Sequence, residues 1–186
     1  DYSGPNGLNE IKGLMEFKIN ENHPQILNVG DVMYDAAIYY GAKADRETEV
    51  LDDLEIERDR FVLATIHRQE NTDDPDRLME IFQGVMNIAA NHRVVLPLHP
   101  RTRTILDQVG LWTGVAEKLN VINPVGYLEM MALEKSAGLI ITDSGGVQKE
   151  AFFHRVPCLT LRDETEWVET LESGWNHLLP ADSETM

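Results

Sequence analysis

Four apolar runs in this chain each end in a burst of polar residues able to do chemistry. His67-Arg68-Gln69-Glu70-Asn71 follows the run 61–66, His99-Pro100-Arg101 follows 93–98, Asp143-Ser144-Gly145-Gly146 follows 139–142, and Arg162-Asp163-Glu164 follows 158–161. The third carries the most specific chemistry. Glycines at a strand-to-helix turn let a ligand approach the backbone closely. A helix start presents free N–H groups and the positive end of its dipole. Ser144, Gly145 and Gly146 therefore suit a diphosphate, and Glu150, about one turn on, suits the two hydroxyls of a ribose. The same residues also fit an ordinary tight turn followed by an exposed Glu. His67, with Arg68 beside it, can be protonated near neutral pH and can protonate a departing phosphate; a loop or capping histidine is the alternative. His99 and Arg101 carry the same ambiguity, Arg101 also fitting a solvated first helical turn.

These clusters need a scaffold that gathers strand ends. Apolar runs rich in β-branched residues fall at 26–29, 61–66, 93–98, 121–123, 139–142, 158–161 and 177–179. Their near-continuous apolarity predicts strands buried on both faces. Amphipathic stretches between them predict helices at about 32–41, 101–110, 127–137, 146–154 and 165–173. The clearest begins at Asp74-Pro75, an N-cap followed by proline at the first helical position. Its Leu78, Ile81, Phe82, Val85, Ile88 and Ala89 keep three-four spacing. Alternation of this kind predicts an α/β fold: a Rossmann-like parallel sheet with helices on both faces and right-handed crossovers. In such sheets ligands sit beyond the carboxyl ends of the strands, where all four polar bursts fall. Residues 1–25 are a poorly patterned N-terminal segment with a weak helical pattern at about 9–18, and 26–186 form the domain.

Composition narrows the partners. The 186 residues suffice for one domain with a real core, and 42% apolar with 26% charged is ordinary for a globular protein. A net charge of −16 argues against nucleic acid and anionic membranes, both of which need a basic face. No stretch is apolar for the length of a membrane span, and no signal pattern opens the chain. The one cysteine, Cys158, sits in an apolar run and suits a small buried hydrophobe in a reducing cytosol. His23, His92, His154 and His177 stand outside any motif and are expected to be structural or exposed. Glu164, Glu166, Glu169 and Glu172 predict a mostly solvated acidic helix face. No Cys/His spacing supports zinc, and neither G-x-G-x-x-G nor G-x-x-x-x-G-K-S/T occurs. The chain starts without Met and ends just after an apparent strand, the pattern expected of a fragment.

In this order the motifs resemble the non-hydrolysing UDP-N-acetylglucosamine 2-epimerases. Asn28-Val29-Gly30-Asp31-Val32-Met33-Tyr34-Asp35 is similar to the family's N-x-G-D/N-x-x-x-D segment. His67 to Asn71 resembles H-R-x-E-N, and Leu98-His99-Pro100 a strand end of H-x-N/R type. Asp143 to Glu150 resembles D-S-G-G-x-Q-x-E, and Arg162 to Glu166 resembles R-x-x-T-E. The resemblance covers about residues 26–180. It implies the UDP-holding C-terminal half of a GT-B fold, with the N-terminal domain absent from this chain. It implies that Ser144, Gly145 and Gly146 bind diphosphate, Glu150 binds ribose, and His67 assists departure of UDP. Arg68 and His99 belong to the same cleft, and Met130 stands where many members place an aromatic residue over the uracil. The implied reaction interconverts UDP-N-acetylglucosamine and UDP-N-acetylmannosamine by eliminating UDP and adding it back. It uses no cofactor or metal, and its carboxylate bases lie on the other domain. A cytoplasmic homodimer serving polysaccharide biosynthesis is implied too, inactive as this fragment alone. Some members also bind UDP-N-acetylglucosamine as an activator beside the active site. Trp167-Val168 replaces the Arg-Pro of the family's T-E-R-P-E. A GT-B glycosyltransferase and a non-catalytic nucleotide-sugar module are the alternatives.

Overall fold

The computed structural model describes residues 30–179. The expected strand at 26–29 and helix at 9–18 lie outside them. Six parallel strands form one sheet in the order β3-β2-β1-β4-β5-β6. They are β1 (Phe61–Thr65), β2 (Arg93–Pro97), β3 (Asn120–Ile122), β4 (Leu139–Thr142), β5 (Cys158–Thr160) and β6 (Asn176–Leu178). This is the doubly wound arrangement of the sequence expectation. Strand order reverses between β1 and β4, which pair in register from Val62–Leu139 to Thr65–Thr142. A crevice opens at such a reversal because the crossovers on either side leave in opposite directions.

Helices cover both faces. On one, α4 (Pro75–Ile88), α5 (Pro100–Gln108) and α6 (Trp112–Lys118) bury Leu78, Ile81, Phe82, Val85, Leu106 and Val115 against Val62, Ala64, Val94 and Leu96. On the other, α1 (Val32–Glu47), α2 (Val50–Asp53), α7 (Tyr127–Ser136) and α8 (Gly145–His154) pack Ala44, Val50, Met131, Leu133 and Ala151 against Leu63, Val95 and Ile140. Each fully buried Leu, Ile or Phe contributes about 1.5–3 kcal/mol. Cys158 is 1% exposed, and burial pushes its thiol up to about 12, so it behaves as a hydrophobe.

Helix starts follow local chemistry. Asp74 caps α4 by accepting from the Asp76 and Arg77 amides, and Pro75 opens the helix. Asp31 caps α1 in the same way. Helix α1 runs six residues past its expected end at 41, because Ala44 packs into the core beneath it. Three short helices were not expected: α2, α6 and α3 (Gln69–Thr72), the last a single turn just after His67-Arg68. Four to seven residues are too few for a 3.6 period to show in sequence. The helix expected over 165–173 shrinks to α9 (Val168–Glu172), since the Thr165 hydroxyl bonds the Trp167 amide in a turn instead. The acidic face expected there is half engaged: Glu166 pairs with Arg162 and Glu169 with Lys149.

Candidate functional site

The crevice between β1 and β4 is built around one buried carboxylate. Thr65 and Thr142 end the paired strands with their hydroxyls 2.6 Å apart. Asp143, the next residue after β4, is fully buried. Its oxygens accept from the His67 amide (3.0 Å), the Arg68 amide (2.9 Å) and the Asn71 side-chain amide (3.1 Å). The imidazole Nδ1 of His67 lies 3.4 Å from the same carboxylate. Asp143 thus fixes the backbone after β1 and lies against the Nδ1 edge of the His67 ring. Asn71 extends the tie by donating to the Leu161 carbonyl and accepting from Arg77. Three segments that look like separate motifs in sequence are one hydrogen-bonded unit.

Helix α8 starts at this point. Ser144 is its N-cap and accepts from the Val147 amide, while the Gly145 and Gly146 amides belong to the first turn and lack intrahelical acceptors. The two glycines differ. A Cβ at Gly146 would meet only the Ser144 hydroxyl, at 3.8 Å, so approach is open there. A Cβ at Gly145 would overlap the Glu166 carboxylate, and the Trp167 indole donates to the Gly145 carbonyl at 2.8 Å. The close approach expected at both glycines is taken at Gly145 by the chain itself. Burial pushes the Glu166 carboxyl up, but its own backbone amide, a hydrogen bond from Arg162 and the charges of Arg162 and Arg68 outweigh this and hold it below the usual range.

Beside His67 lies a cleft of about 440 Å³, lined by Thr65, Ile66, Pro97, His99, Arg101, Val125, Tyr127, Met130 and Val147 among others. A larger, shallower hollow of about 900 Å³ lies near Trp112 and Asn120 and holds no titratable cluster beyond Arg103. The structure thus places His67, His99 and Met130 in one cleft. His99 also caps α5, its Nδ1 accepting from the Arg101 amide at 3.2 Å, which is the capping alternative of the sequence reading. Arg101 pairs with Asp73. Arg68 faces the Glu166 side instead, with its guanidinium 4.0 Å from Glu70. Glu150 is half-buried and accepts from the Tyr127 hydroxyl at 3.4 Å. Burial raises its carboxyl above the usual range against hydrogen bonds from Tyr127 and Glu134 that lower it.

Tyr127 and Asp143 acquire roles that the residue pattern did not assign. Asp143 could have been suspected, as an acid directly after a buried strand; its partners 72 to 76 positions away could not. Two more polar residues of α8 are structural ties. Gln148 accepts from Thr165 and Asn176, and Lys149 joins the Asp31 cap of α1 to Glu169. Among the described residues no group of three His, Cys, Asp or Glu is disposed to hold a metal, and no helix is long and apolar enough to cross a membrane.

An all-parallel sheet in this order, with a carboxylate-clamped histidine and a glycine-rich helix start at its reversal point, defines a Rossmann-like α/β domain with a ligand cleft. The chain belongs to the UDP-N-acetylglucosamine 2-epimerase family, whose model matches residues 15–186. It is 46% identical over 162 residues to a UDP-N-acetylglucosamine 2-epimerase homolog of Methanococcus maripaludis, covering 86% of this chain and 45% of that one. It is 50% identical over 158 residues to the UDP-2,3-diacetamido-2,3-dideoxy-D-glucuronate 2-epimerase of Pseudomonas aeruginosa, covering 84% and 42%. The solved UDP-GlcNAc 2-epimerase of Methanocaldococcus jannaschii superposes with a TM-score of 0.82 at 38% identity, over 96% of this chain and 49% of that one. A second structure of that enzyme, in complex with UDP-GlcNAc and UDP, gives 0.80. The chain spans about half the length of the curated relatives it matches, and corresponds to one half of a GT-B fold.

Proposed function

We propose that this chain is the UDP-holding half of a UDP-N-acetylglucosamine 2-epimerase, and that residues 26–186 form its nucleotide domain. One observation carries the proposal: the Asp143-clamped His67 and the amide-rich start of α8 meet at the sheet's reversal point, beside a cleft floored by Met130. The uracil lies in that cleft against Met130 and His99. The diphosphate reaches the open approach at Ser144 and Gly146, and the ribose hydroxyls donate to Glu150. His67, held through Nδ1, presents Nε2 to the phosphate oxygen from which the sugar departs. There it stabilises or protonates UDP as the glycosidic bond breaks. Arg68 adds positive charge near the same oxygens. Proton removal at C2 falls to carboxylates on the other half of the enzyme, and addition of UDP back to the glycal gives UDP-N-acetylmannosamine. The working form is a cytoplasmic homodimer that supplies polysaccharide biosynthesis.

The test is incubation of the intact protein with UDP-N-acetylglucosamine in deuterated water. Deuterium at C2 of the product supports epimerisation. Transfer of the sugar to an acceptor without exchange points to a glycosyltransferase, and UDP binding without turnover points to a non-catalytic module. The 50% identity to the diacetamido-glucuronate 2-epimerase favours a second substrate with the same chemistry at C2. Parallel assays with both UDP-sugars decide which is turned over.

A further inference from the structure

A buried acid next to Glu150 belongs to none of the motifs. Glu134, on α7, is 0% exposed, and neither of its carboxyl oxygens receives a hydrogen bond from a donor group among the described residues. An ionised carboxylate left bare in such a place is strongly unfavourable. Its one polar neighbour of consequence is the Glu150 carboxyl on α8. Two carboxylates can only accept, so a bond between them exists only if one holds a proton. The fully buried member has the greater reason to hold it.

We infer that Glu134 is a positioning residue for Glu150: a neutral acid that donates its proton to the Glu150 carboxylate and fixes the orientation in which that carboxylate meets the ribose hydroxyls. Glu150 then has two donors, Glu134 and the Tyr127 hydroxyl, which reaches it at 3.4 Å. This rests on the reading of Glu150 as the ribose ligand. Burial first, and the charge of Glu150 second, push Glu134 well above the ordinary carboxyl range. The surroundings provide no competing cation. Lys135 of α7 is taken by Asp45 of α1, and α1 otherwise brings Tyr40. Helix α8 brings His154, which burial keeps neutral, and β5 brings the Cys158 thiol. Helix α2 turns Asp52 and Asp53 to solvent.

The pair therefore holds one proton over the pH range in which UDP binds. Acid adds a second proton to Glu150; alkali strips Glu134 and leaves two carboxylates facing each other. UDP affinity of the intact protein, measured by titration calorimetry across pH, tests this on the wild type, E134Q, E134L and E150Q. The amide of E134Q still donates and cannot ionise. Its affinity at neutral pH is expected to match wild type while the alkaline loss tied to Glu134 disappears. E134L, with no donor, is expected to bind about tenfold more weakly across the range. The infrared carbonyl band of a neutral carboxylic acid is expected in wild type at neutral pH and absent in E134Q. A pH profile of E134Q that superposes on wild type overturns the inference, whatever E134L does, as does an acid band that survives in E134Q. Unchanged UDP affinity in E150Q instead removes the ribose assignment itself, a separate outcome read from a separate variant.

Discussion

Replacing Asp143 by Asn tests the hub of the site without changing its shape. Asp143 is fully buried and serves three N–H donors, the amides of His67 and Arg68 and the side chain of Asn71, with the His67 ring 3.4 Å away. Hydrogen bonds to a charged acceptor contribute about 1.5–3 kcal/mol each, against about 0.5–1.5 for neutral ones. Removing the charge weakens all three by about 1 kcal/mol apiece on that scale. The Asn side chain also turns its own NH2 toward one of the donors, so at least one bond is lost outright. The expected cost is about 3–4 kcal/mol of domain stability. For a domain of this size that lowers the melting temperature by about 6–16 °C. Thermal unfolding followed by circular dichroism measures it, and UDP titration on the same variant is expected to show weakened binding because His67 loses its support. A melting temperature and a UDP affinity both equal to wild type would refute the clamp, since a buried acceptor of three donors cannot lose its charge without consequence.

Glu150→Ala should weaken UDP binding by about 1–3 kcal/mol, the value of hydrogen bonds to a charged acceptor, as read by calorimetry; equal affinity removes Glu150 from the ribose. Gly138→Ala and Gly145→Ala should part company in thermal melts. A Cβ at 138 would lie 2.8 Å from the Asp59 backbone carbonyl, which cannot swing aside, and is expected to cost about 1–3 kcal/mol. At 145 the obstacle is the end of the flexible Glu166 side chain, so the loss should be smaller; equal losses would contradict this contrast. Burial, reinforced by the charge of Lys135, lowers His154 from its ordinary 6.5 to about 4. The unfolded chain binds that proton first, so this contribution is intact above pH 6.5 and is lost as pH falls toward 4. Urea unfolding at neutral and mildly acid pH should show His154→Leu losing less stability on acidification than wild type; parallel losses would exonerate His154.

Much of the architecture was legible because its signals are local. All six strands in the described residues fall on expected, largely apolar runs, and Asp74-Pro75 marked the start of α4 by capping chemistry alone. Elements of four or five residues, such as α2, α3 and α9, were missed or overextended, since periodicity cannot be read over a single turn. In the site, His67, His99 and Met130 could be named from their positions after strands or on α7, and the fold brings them to one cleft. The distinct fates of Gly145 and Gly146 could not, because they depend on Glu166 and Trp167 arriving from twenty residues downstream.

By itself the sequence determined that this is a parallel α/β domain with its polar chemistry at the strand ends, because apolar periodicity, capping residues and strand-end placement act within a few neighbouring residues; the family came from the resemblance of its motifs. Tertiary structure alone decided that Asp143 holds His67, that Glu166 shields one glycine and leaves the other open, and that Glu134 is buried where no donor group among the described residues reaches it. Those facts are set by which side chains meet in the folded chain, at separations from 22 residues for Gly145 and Trp167 to 76 for Asp143 and His67, and such pairings leave no trace in either partner's own neighbourhood.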